Sequence, residues 1–91
     1  MSDLRIYWAR NDGMTGHVFL ADQERAALEQ EMVLQGMDLP ELVPGIHVTF
    51  TEVDIALAAA SPEPISVQPK LWSDWLRFLE GASTNGGLLV R

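Results

Sequence analysis

Apolar and polar residues alternate over Leu4–Ala9 near the start of this chain and again over Ile46–Thr51, and a helical period runs through the stretch before its end. Leu4, Ile6 and Trp8 share one parity while Arg5, Tyr7 and Ala9 occupy the other, the period-two signature of a strand with one buried face. Val18-Phe19-Leu20 brings β-branched and aromatic character back after Asn11-Asp12-Gly13. An Asp-Gly pair supplies the positive φ angles of a tight turn, so a β-hairpin is expected to open the chain, with its second strand inside Met14–Leu20.

A helix is expected next, over 22–35. Asp22 stands where an N-cap or first-turn acid belongs, Gln23 to Leu28 are good helix formers, and Gly36 is placed as the C′ residue. At 100° per residue Leu28 and Met32 share a face, but Val33 and Leu34 point away from it. Such a helix is either covered on more than one side or leaves apolar side chains in water. Pro40 and Pro44-Gly45 break the chain after it.

Ile46 to Thr51 alternates cleanly and reads as a strand. Glu52 to Ala60 is two-sided: Glu52-Val53-Asp54-Ile55 continues an alternation, whereas the alanines favour helix. A short helix capped by Thr51 and Asp54 competes there with a bulged, longer strand, and the helix is preferred. Pro62 and Pro64 close this segment. Pro69 to Glu80 carries the clearest helical pattern, with proline in its first turn and Gly81 as the expected C-terminal stop. Leu71, Trp72, Trp75, Leu76, Phe78 and Leu79 fall within one arc, and Lys70, Ser73, Asp74, Arg77 and Glu80 fill the complement. Asn85-Gly86-Gly87 then turns the chain into a short strand, Leu88-Leu89-Val90.

These elements describe one α+β domain over 1–91: hairpin, helix, strand, short helix or bulged strand, amphipathic helix packed on the sheet, and a short C-terminal strand. The Trp72/Trp75 face could dock a partner, but so small a chain has few other aromatics from which to build a core. That face is therefore expected inside. With 91 residues, the radius of gyration should be near ~12 Å.

Composition narrows the function. Thirteen acids against six bases give a net charge of −7, which repels polyphosphate and argues against nucleic acids and anionic membranes as partners. Absence of cysteine closes the disulfide and thiolate routes. No signal-like apolar segment opens the chain and no run is long enough to span a bilayer, so a soluble, cytoplasmic setting is expected.

Catalytic patterns are missing too. Gly81 to Gly87 lacks the following Lys-Ser/Thr of a phosphate loop, and no nucleophile-elbow serine occurs. His17 and His47 have no metal-type spacing, and a site would require them to meet across the sheet beside Glu52 or Asp54. The charge itself is concentrated: Asp22 to Glu41 holds six acids and one base, net −5, while the rest holds seven acids and five bases, net −2.

The expected function is a non-enzymatic interaction module of inhibitor, immunity or adaptor type. It would meet a basic protein through Asp22, Glu24, Glu29, Glu31, Asp38 and Glu41, with no cofactor, metal or catalytic residue assigned. The competing expectation is a small-ligand or metal-binding domain using His17, His47 and neighbouring carboxylates.

Overall fold

The N-terminal alternation pairs as its parity requires. In the computed structural model, which describes residues 4–10 and 16–91, β1 (Leu4–Trp8) runs antiparallel to β2 (His17–Leu20), with Leu4 opposite Leu20 and Tyr7 opposite His17. The expected Asn11-Asp12-Gly13 turn lies outside the described residues. The chain continues as α1 (Asp22–Leu34), β3 (His47–Val48), α2 (Phe50–Ala59), α3 (Pro69–Ser83) and β4 (Leu88–Val90). The strands form one antiparallel sheet in the order β2-β1-β4-β3. The fold is thus the expected α+β class.

One face of that sheet makes the core. Leu4, Ile6, Leu20, Val48, Leu88 and Val90 are buried against the helices. From the helix side come Leu28 and Met32 of α1, Val53 and Ala56 of α2, and Trp72, Trp75, Phe78 and Leu79 of α3. Trp72 and Trp75 are therefore core residues, and Trp75 stacks on Phe78 with ring centroids 5.8 Å apart. The radius of gyration is 11.9 Å. No helix among the described residues is long and apolar enough to cross a membrane.

Helix α1 ends as the glycine predicts. Gly36 takes φ +77°, its N–H bonds to Val33 O and the Met37 N–H reaches back to Met32 O, a Schellman stop. At its start, Ala21 rather than Asp22 is the cap, and Glu24 accepts the Ala21 N–H. The scattered apolar pattern resolves into exposure: Val33 is 75% and Leu34 47% exposed.

Two boundaries move. The strand expected over 46–51 is only His47–Val48, because the chain turns into α2 at Thr49. Thr49 and Glu52 form a reciprocal capping box, Glu52 N–H to Thr49 Oγ1 at 3.3 Å and Thr49 N–H to Glu52 Oε1 at 3.1 Å. This Thr-x-x-Glu pair, rather than Thr51 with Asp54, nucleates the helix, so a continuous alternation was cut by a stronger local signal.

Helix α3 does not stop at Gly81 but runs through it to Ser83. A helix-interior glycine costs up to ~1 kcal/mol relative to alanine, and the reason for it is Trp8. The indole of Trp8 lies against Gly81 and donates from Nε1 to Phe78 O at 3.0 Å, so a β-carbon at position 81 would clash with the ring at Trp8 Cζ2. Gly81→Ala is expected to lower stability by about 1–3 kcal/mol, measurable by denaturant melts, and to change Trp8 fluorescence. The helix closes at Thr84 without a left-handed residue, and the left-handed glycines Gly86 (φ +80°) and Gly87 (φ +94°) make the expected turn into β4.

Candidate functional site

The six acids expected to face one partner have separate environments. Asp22, Glu24, Asp38 and Glu41 are exposed. Glu29 is half-buried, pairs with Arg25 one turn earlier and accepts the Leu42 N–H at 3.0 Å, which ties the 37–43 segment to α1. Asp22 and Glu41 share the rim of a cleft of about 300 Å³ floored by Leu42, where Arg25 and Arg91 offset their charge.

Glu31 leaves the docking set altogether, because it is completely buried. Its Oε1 accepts the Ser66 N–H at 2.6 Å and the Ser66 hydroxyl at 2.8 Å, and Oε2 accepts the Ile65 N–H at 2.7 Å and Gln35 Nε2 at 2.8 Å. Gln35 in turn accepts the Ser61 N–H and donates to Glu63 O. Thus two side chains at the end of α1 hold the proline-rich connection between α2 and α3. Burial pushes the Glu31 carboxyl up, but the hydrogen bonds from Gln35, Ile65 and Ser66 outweigh it and hold the group at about 2, below its ordinary 4.5. A helical period makes Glu31 look like one more surface acid; only the distant segment 61–66 gives it an interior role.

The two histidines share a face without meeting. Tyr7 stands opposite both His17 and Leu89, and Leu89 stands opposite His47, so the row across the sheet is His17, Tyr7, Leu89, His47. Three strand spacings separate the ends by ~14 Å, too far for one ion or one proton relay. Nor do the expected carboxylates join them: Glu52 is engaged at the start of α2, and Asp54 is exposed further along that helix. Among the described residues no group of three His, Cys, Asp or Glu side chains could hold a metal ion.

What the sheet does bring together is a set of rings and guanidinium groups. The face opposite the core presents Arg5 and Tyr7 from β1, His17 and Phe19 from β2, His47 from β3, and Leu89 with Arg91 from the β4 end. Ring centroids of His17 and Phe19 are 5.1 Å apart, Tyr7 and His17 6.1 Å, and Tyr7 and Phe19 6.4 Å in an edge-on arrangement. Arg5 lies 6.0 Å from the Phe19 centroid and Arg91 lies 5.4 Å from that of Tyr7. Phe19 remains 52% exposed. Strand parity alone puts Arg5 with Tyr7 and His17 with Phe19; their convergence depends on the β2-β1-β4 register.

No family model matches the chain, and no match was found among curated proteins or solved structures.

Proposed function

We propose that this chain is a non-enzymatic protein-interaction module of inhibitor, immunity or adaptor type, acting in the cytoplasm and receiving a basic protein on the surface built from α1 and the 37–43 segment. The observation that supports it is the set of four exposed carboxylates, Asp22, Glu24, Asp38 and Glu41, none of which is ion-paired among the described residues. The same stretch exposes Val33, Leu34 and Val43, an apolar complement that a purely solvating helix has no use for. Charge would speed encounter and the apolar residues would retain the partner.

A Lys/Tyr peptide titrated against the labelled chain tests this reading. Amide shifts should map to α1 and residues 37–43, and the affinity should drop steeply from low to physiological salt. Asp22→Asn, Glu24→Gln, Asp38→Asn and Glu41→Gln combined should abolish binding while the fold survives, since the amide introduced at position 24 keeps a carbonyl for the Ala21 N–H. Unchanged binding by that variant would refute the proposal.

A further inference from the structure

We infer that the sheet face opposite the core is a second docking surface, which adjoins the acidic one at Arg91, and that its partner is a short acidic protein segment carrying aromatic or apolar residues between its carboxylates. The argument begins with charge placement. Thirteen of the 91 residues are acidic, yet none of the seven side chains on this face is: it holds Arg5, Arg91, His17 and His47 around Tyr7, Phe19 and Leu89. The Arg91 N–H bonds to Arg5 O, so two arginines stand side by side on adjacent strands. Like charges opposite each other weaken a sheet, and neither arginine forms an ion pair among the described residues to offset this.

The geometry suits carboxylate capture. Each guanidinium lies within about 6 Å of an aromatic ring centroid, and a guanidinium can form a two-point bond to a carboxylate while staying beside such a ring. Between them, the Tyr7, His17 and Phe19 rings form a contiguous aromatic cluster with Phe19 half in water. Four strands span only ~14 Å, the width of a short segment rather than of a large domain face. At one end Arg91 borders the cleft of Asp22 and Glu41, whose carboxylates limit the surface on that side.

Charge complementarity also selects among occupants. A second copy docked face to face would join two basic faces whose seven side chains include no carboxylate to pair with Arg5 or Arg91. Single-stranded nucleic acid could stack on the rings, but its dense phosphates meet a chain of net charge −7. An acidic peptide has a lower charge density and matches both the arginines and the aromatic cluster.

The experiment is an NMR titration of the intact chain with a Glu/Tyr peptide, beside the Lys/Tyr peptide and oligo(dT). The Glu/Tyr peptide should shift the amides of Arg5, Tyr7, His17, Phe19 and Leu89. Two variants are compared after thermal melts confirm that they fold: Arg5→Gln with Arg91→Gln, and Phe19→Ala, which leaves the charge unchanged. Each should weaken binding by about tenfold, as expected for removal of an interface anchor. The proposal fails if these amides do not move, if either variant binds as tightly as the parent, or if oligo(dT) binds the face more tightly than the Glu/Tyr peptide. Failure here leaves the Lys/Tyr result intact, and the reverse also holds, so the two surfaces are judged separately.

Discussion

Glu31→Ala is expected to lower the stability of the fold by about 2–4 kcal/mol, because it orphans the Ile65 and Ser66 N–H groups and the Ser66 hydroxyl where the carboxylate is buried. In a domain of this length the melting temperature should fall by roughly 10–25 °C. Total stability is expected to be only ~5–13 kcal/mol, so this one side chain decides whether the 61–66 connection is held. Glu31→Gln should be little better. All four groups facing the carboxylate are donors, so an amide NH₂ would oppose at least one of them.

Acid should act on the same group. Because folding holds Glu31 at about 2 instead of 4.5, the unfolded chain takes up the proton first. The stabilisation is complete above about pH 4.5 and is lost as the pH falls toward 2. Urea melts across that window should show a steeper decline for the parent chain than for Glu31→Ala. Parallel curves would contradict the ionised clamp.

Trp72→Ala carries the largest expected penalty, about 3–5 kcal/mol, since the indole is fully buried between the helices and the sheet. Trp72→Phe separates its two contributions. Phenylalanine fills much of the space but cannot replace the 2.8 Å hydrogen bond from Nε1 to Ser61 O, so a loss of about 1–2 kcal/mol is expected. Thermal and urea denaturation give both values. Equal losses for the two variants would mean that the polar end, and with it the anchoring of residue 61, outweighs the apolar body. Trp72 and Glu31 grip the same connection from α3 and α1, so their combined substitution should depart from additivity.

Both predictions place the strongest constraints on buried groups that hold the connection between α2 and α3, whereas the proposed docking residues are exposed side chains, of which Glu24 lines a cleft with Ser66 of that connection. That difference in burial has a practical use. Neutralising Asp22, Glu24, Asp38 and Glu41, or replacing Arg5 and Arg91, touches exposed side chains and should leave stability within a fraction of a kcal/mol. Binding defects in those variants can then be read as surface effects.

Much of the architecture was legible from short-range chemistry. Parity placed Leu4 and Ile6 inward, Gly36 ended α1, and the apolar arc of α3 identified Trp72, Trp75, Phe78 and Leu79 as core, because each depends on residues within a few positions. The same range misled where two local signals competed. The Ile46–Thr51 alternation yielded to the Thr49–Glu52 cap, and Gly81 looked like a helix stop because the ring that requires it belongs to residue 8.

Function depends on the longer range. Six acids read along one helix and its following loop form a single charged region, yet Glu31 was drawn inside by backbone donors 34 and 35 positions away and Glu29 was bound to Leu42. Conversely, the arginines of the proposed sheet-face docking surface come from positions 5 and 91, joined by strand pairing alone. The chain's own order settles which residues are buried by periodicity and where the backbone turns, since these are local steric and hydrophobic choices. Which polar groups are left to meet a partner was decided only when distant segments closed on one another, because a side chain is available for binding only if no other part of the fold has already satisfied it.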